Sequence, residues 1–169
     1  MGSHIAQGLV LKYPDKVNKL ILYAADCGDK ESIQRSPQVE QALTNTTGTA
    51  KEQGSRLLHI LFPTQWLKQN PNVGNYFPIP TETSSIKGVT GQIHAIASWN
   101  GLCNTISKII QPTLIITRTD DVIAPAANSL ILVDKIPGAW LVQLKDAGHG
   151  LMYQYPEKLG RIVLIFLGS

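Results

Sequence analysis

Pro112-Thr113-Leu114-Ile115-Ile116-Thr117-Arg118-Thr119-Asp120-Asp121-Val122-Ile123-Ala124-Pro125 decides the reading of this chain. An apolar run entered by a proline and closed by an abrupt polar cluster is the pattern of a buried parallel strand. The residues just past its carboxyl end, Arg118 to Asp121, fall where open α/β sheets place their sites. A second strand, Trp140-Leu141-Val142-Gln143-Leu144, runs into Lys145-Asp146-Ala147-Gly148-His149-Gly150. Glycine on both sides of His149 lets the backbone turn sharply and leaves the imidazole standing out from the strand end.

Working outward, residues 126–135 read as a helix, Pro137-Gly138 as a turn and residues 156–167 as a final helix. Strand and helix alternating at this spacing make an α/β pattern. Upstream, residues 4–13 read as a helix ended near Tyr13-Pro14, and 19–25 as a strand. Residues 26–38 form a polar link with a boundary at Pro37. Helix-compatible spacings follow at 39–46, 50–62, 64–69 and 86–108, broken by several prolines and glycines. Asn70-Pro71-Asn72-Val73-Gly74-Asn75 is a loop signal.

Asp121, four residues before Pro125, and His149 within Ala147-Gly148-His149-Gly150 resemble the acid and histidine stretches of the α/β-hydrolase superfamily. Met1-Gly2-Ser3-His4-Ile5-Ala6-Gln7, with Tyr13-Pro14-Asp15-Lys16-Val17 and Leu20-Ile21-Leu22-Tyr23-Ala24 behind it, resembles the segment following that family's serine elbow. The first four residues also read in part as an expression scar, although Ile5-Ala6-Gln7-Gly8-Leu9 continues the family pattern. The family's order is serine, acid, histidine. The resemblance implies a partial α/β-hydrolase fold: about three parallel strands with flanking helices, residues 1–27 and 109–169 as core, and residues 28–108 as a helical cap inserted after the first strand.

The resemblance also assigns roles. His149 is the expected general base and Asp121 the residue that fixes its tautomer. Asp120 is the rival acid, expected to face solvent or cap the turn. Arg118 departs from the family, where a small residue is usual; its guanidinium has Asp120 or Asp121 as partner, and on Asp121 it would compete with His149 for the carboxylate. The nucleophile would lie one residue before Met1, so Ser3 is out of register and Met1 becomes the candidate oxyanion-hole position. Leu61, Trp66, Phe77, Ile96 and Trp99 are the candidate pocket residues, and His4, His59 and His94 read as ordinary polar residues.

Composition bounds the alternatives. The chain has 169 residues, 43% of them hydrophobic, enough for one moderate domain. A net charge of +3 with signs mixed and no arginine stripe gives no footprint for nucleic acid. Ile162 to Leu167 is too short to span a bilayer, and no signal peptide is evident at the start. Cys27 and Cys103 are too few for a zinc cluster, so two reduced, chemically inert thiols and a cytoplasmic location are expected. Neither metal nor cofactor is called for.

The leading functional expectation is the C-terminal part of a serine hydrolase acting on a small apolar ester or related acyl substrate, inactive without its upstream serine. A non-catalytic interaction or structural module and a proton transfer run by His149 and Asp121 alone are the alternatives. Uncovered strand edges would drive self-association of the isolated chain, as a homodimer or larger species.

Overall fold

A computed structural model describes residues 1–45, 47–72 and 85–169. Helix α1 (Gly2–Lys12) leads to strand β1 (Leu20–Tyr23), helices α2 (Pro37–Thr44), α3 (Ala50–Leu61), α4 (Thr64–Gln69) and α5 (Ile86–Ala97), then β2 (Thr113–Arg118), α6 (Ala126–Lys135), β3 (Trp140–Leu144), α7 (Leu151–Gln154) and α8 (Pro156–Gly168). The three strands form one parallel sheet in the order β1-β2-β3. This is the α/β pattern that the alternation of strand and helix implies, with the three parallel strands that the resemblance implies.

β2 is central and every one of its six residues is buried, which is why it reads as an unbroken apolar run. Side chains alternate across a sheet, and its two faces meet different helices. Ile115 joins Leu20 and Leu22 of β1 against Val10 of α1 and Leu132 of α6. Leu114 and Ile116 point the other way and pack with Leu144, Leu151 and Phe166, so α8 covers that face. The sheet is thus sandwiched between helices, which raises the carboxyl ends of β2 and β3 as the place left for chemistry.

Local chemistry sets the helix ends. α3 begins with a capping box in which the Thr49 hydroxyl accepts from the Glu52 amide and the Glu52 carboxylate accepts from the Thr49 amide. Pro37 stands in the first turn of α2, behind Ser36, whose hydroxyl accepts from the Val39 amide. The helix-compatible stretch over 86–108, with breaks expected at Gly88 and Gly101, is α5, which runs through Gly88 and ends at Ala97, and a short 3-10 turn at Ile106–Lys108. Gly101, with φ of 75°, stands in the stretch between them.

The ends of the 28–108 stretch meet. Gly28 and Gly101 both have positive φ, and a side chain on Gly28 would come within 2.7 Å of the Gly101 Cα. The Leu102 amide donates to the Cys27 carbonyl at 2.7 Å. Cys27 and Cys103, with Cα atoms 4.9 Å apart, form a disulfide across this crossing. The expectation of two free thiols is corrected: chain topology brings together sulfurs whose sequence spacing carries no hint of pairing. The ground for a reducing, cytoplasmic location goes with it, since disulfides persist in oxidising surroundings. No helix among the described residues is long and apolar enough to cross a membrane.

Candidate active site

Asp121 lies three residues past the end of β2, and its position is set by its own backbone. Oδ1 accepts from the amides of Ile123 and Ala124 at 2.9 and 2.8 Å, a local turn that an aspartate readily closes. Its side chain is fully buried. Asp120 is exposed, and its contribution is an amide donated to the Ala147 carbonyl at 3.0 Å. The neighbouring turns are also stitched together, because the Asp146 amide donates to the Thr119 hydroxyl at 2.9 Å and the Thr119 amide to the Leu144 carbonyl at 3.1 Å.

His149 is brought to Asp121 by the loop after β3. The Gly148 amide donates to Oε1 of buried Gln154 at 2.8 Å, the Gly150 amide to the Leu61 carbonyl at 2.8 Å, and the Tyr23 hydroxyl to the His149 carbonyl at 2.8 Å. Neither flanking glycine has a positive φ. Their reason is close approach: a Cβ on Gly148 would stand 2.6 Å from the Leu61 carbonyl oxygen, and one on Gly150 would run into the Phe62 ring. The glycines let the end of α3 press against the histidine loop, a tertiary demand instead of the sharp turn that the sequence suggests.

His149 Nδ1 stands 3.0 Å from Asp121 Oδ2 and 3.2 Å from Oδ1. Among the described residues nothing bonds Nε2, leaving the ring's far nitrogen open to a further group. Arg118 shares the carboxylate. Its Nη2 pairs with Asp121 Oδ2, its Nε donates to the Gly148 carbonyl at 3.2 Å, and its guanidinium lies 4.3 Å from the Tyr23 ring centre. The competition expected of Arg118 is therefore present in the geometry. Burial brings the guanidinium down to about 10, and Tyr23 is raised by its own burial.

Burial also pushes His149 down to about 4, helped by the charges of Arg118, Arg35 and the amino group of Met1. A linkage follows. Between about 4 and the ordinary 6.5 the unfolded chain takes up a proton at His149 that the folded chain refuses. The associated stability is complete above 6.5 and drains away as pH falls towards 4. Urea unfolding at pH 7 and pH 5 should show that loss, and His149→Gln should reduce it. Equal losses in both proteins would show that His149 is not its source.

A cavity of about 870 Å³ lies between the α2 and α5 helices and residues 123–125. Ile96 and Trp99, two of the expected pocket residues, line it together with His4, Asp26 and Arg35. His4 is not an isolated polar residue. Its ring stacks on Trp99 at 3.9 Å and its Nε2 meets Asp26 Oδ1 at 3.1 Å. Leu61 and Trp66 lie outside this lining: Trp66 stacks on Phe62 at 4.8 Å, and Leu61 packs against the same cluster, which supports the histidine loop from behind. Phe77 falls outside the described residues. The sequence reading missed Tyr23, Gln154 and the His4–Asp26 pair. A tyrosine closing a strand was a signal for the first, whereas nothing local marks the others.

Asp29, Glu31 and Cys103 approach one another closely enough to suggest a cation, but the Cys103 sulfur is committed to the disulfide.

No family model matches the chain. It is 26% identical over 169 residues to a poly(3-hydroxyalkanoate) depolymerase of Ectopseudomonas oleovorans, covering 98% of this chain and 58% of that protein. It is 24% identical over 188 residues to a 2-hydroxy-6-oxononadienedioate/2-hydroxy-6-oxononatrienedioate hydrolase of Burkholderia vietnamiensis (strain G4 / LMG 22486), covering 99% and 59%. The crystal structure of the enol-lactonase from Burkholderia xenovorans LB400 superposes with a TM-score of 0.80 at 22% identity, over 100% of this chain and 63% of that one. The chain thus spans about three fifths of the length of the proteins it resembles. With a three-stranded parallel sheet and relatives aligned along its whole length, the chain has part of the α/β-hydrolase fold and is similar to hydrolases of that superfamily.

Proposed function

We propose that this chain is the C-terminal part of a serine hydrolase for small esters or related acyl compounds, with its nucleophile supplied from upstream of Met1. The observation that carries this reading is His149 Nδ1 at 3.0 Å from the buried, backbone-anchored carboxylate of Asp121, at the carboxyl edge of a parallel sheet. In the reacting state Nδ1–H donates to Asp121, and Nε2 takes the proton from the serine hydroxyl as its oxygen attacks the acyl carbon. The histidine then returns that proton to the leaving group. Met1, linked to an upstream residue, would contribute its amide to the oxyanion hole.

Residues 28–108 act as a helical cap in this proposal, with Ile96 and Trp99 supplying apolar contact for the substrate. The hydrolytic names of the relatives support the reaction class. The edge of β1 that no other strand among the described residues pairs with, and exposed apolar side chains such as Ile5, Leu164 and Ile165, support self-association of the isolated chain.

Turnover of a short activated ester tests the reading, using the 169-residue chain, the same chain extended upstream through its coding region, and His149→Ala in each. The expected result is a rate above background from the extended protein alone, lost in its His149→Ala form. Equal background from all four would leave the second reading, a non-catalytic module. Arg118 on the Asp121 carboxylate is the observation that favours that second reading.

A further inference from the structure

Asp121 and His149 are held in different ways. The carboxylate is anchored within its own turn, by the amides of Ile123 and Ala124. The histidine loop takes its anchors from distant segments: the Tyr23 hydroxyl donates to the His149 carbonyl, Arg118 Nε to the Gly148 carbonyl, and the Gly150 amide to the Leu61 carbonyl. Leu61 is the last residue of α3, within the 28–108 stretch. Where the histidine stands therefore depends on where that helix ends.

Phe62, the next residue, makes the closest approach. It is 2% exposed, stacks on Trp66 of α4 and shares an apolar cluster with Tyr153 of α7, so its ring is fixed in place. The three atoms nearest to a Cβ built on Gly150 all belong to this ring: the Cβ would run into Cε1, lie 2.6 Å from Cζ and stand 3.0 Å from Cδ1. Gly150 itself has φ of −80° and ψ of 23°, close to the last corner of a common turn and open to alanine. The ring, and not the backbone, reserves this position for glycine.

From this packing we infer that Phe62 is a positioning residue for His149, acting through Gly150. Its consequence for catalysis rests on the proposed hydrolase reading. The 28–108 stretch then enters the reaction twice, since α2 and α5 line the 870 Å³ cavity while the end of α3 places the base. Phe62 is not part of that cavity's lining, which separates the two roles. In the upstream-extended protein Phe62→Leu should lower kcat and leave KM nearly unchanged.

A complementary pair of substitutions tests the positioning without any turnover. Phe62→Leu deletes Cε1 and Cζ, and Gly150→Ala adds the methyl that those two atoms exclude. Each alone disturbs the loop, by a gap or by a clash, whereas together the methyl takes the space that the ring gives up. Neither changes a charge, so Asp121, Arg118, Arg35 and the Met1 amine act on the ring as before. The readout is the His149 ring signal in nuclear magnetic resonance spectra of the whole 169-residue chain at pH 6, identified by its loss in His149→Gln. Burial holds His149 down to about 4, so the unsubstituted ring is neutral at that pH. A ring displaced into water moves back towards 6.5, and each single variant should shift its signal towards the protonated position. The double variant should return it. A signal unmoved in whichever single variant folds overturns the inference, and so does a double variant that fails to restore it. Failure of the hydrolase reading would appear as absent turnover in the ester assay and leave these spectra unchanged.

Discussion

Loss of the Cys27–Cys103 bond, by reductant or by Cys103→Ser, is expected to lower the free energy of unfolding by about 4 to 5 kcal/mol in the chain-entropy model. The magnitude comes from the 76-residue separation of the two cysteines. Without the bond, the unfolded chain recovers the freedom of a long loop, while the folded chain loses little contact because Gly28, Gly101 and the Leu102–Cys27 hydrogen bond still hold the crossing together. Native-state strain reduces such values, and measured losses for native disulfides commonly run about 2 to 5 kcal/mol. Urea titrations with and without reductant read the difference directly. Coincident curves, with the bond shown by mass to be intact in the oxidised sample, would falsify the stabilising role assigned to it.

Asp121→Asn is expected to cost about 3 to 5 kcal/mol, the usual penalty for removing one partner of a buried ion pair. The substitution is nearly isosteric, and its remaining oxygen can still accept from the Ile123 and Ala124 amides. What it cannot do is compensate Arg118, which is almost wholly buried and remains charged at neutral pH even though burial brings it down to about 10. The new amide nitrogen would also face donors on Arg118. Arg118→Met should cost less, because the Asp121 carboxylate keeps two backbone amides and His149 as partners, and a carboxylate can take up a proton. Equilibrium unfolding of the two variants at pH 7 gives the comparison. Arg118→Met as the more damaging change would mean that the guanidinium serves chiefly as packing between Tyr23 and the histidine loop.

These two expectations concern interactions of different legibility. The apolar run of β2 and the glycine-flanked histidine could be read along the chain, because each depends on neighbours a few residues away, whereas the preference for Asp121 over Asp120 rested on the resemblance. Helix α6 and strand β3 fall at residues 126–135 and 140–144 as the spacing of apolar residues implies. Over 86–108 the break expected at Gly101 is present, with α5 ending at Ala97, but the break expected at Gly88 is not, since α5 runs through it. The glycine at 101 marks an end to the helix, yet the crossing of Gly28 under Gly101 that uses it is a path that periodicity alone does not carry.

The site divides in the same way. Asp121 and His149 were candidates from residue type and order, and Arg118 was noticed as an intruder beside them. Its choice between Asp120 and Asp121 was open until the turn after β2 buried one carboxylate and exposed the other. Trp66 had the composition of a pocket residue, but stacking on Phe62 uses its aromatic face behind the histidine loop. His4 had the composition of a bystander, but stands against Trp99 and Asp26 at the cavity wall.

By itself the sequence determined the α/β class, the order of the elements and the residue types at the carboxyl edge of the sheet, because periodicity and chain-breaking residues act over a few positions. Only the tertiary structure decided that Cys27 meets Cys103, that Gly148 and Gly150 make room for Leu61 and Phe62, and that Arg118 reaches Asp121 and His149 at once. The physical reason is that these are contacts between segments distant along the chain. Their energies depend on distance, burial and direction in space, and sequence spacing specifies none of the three.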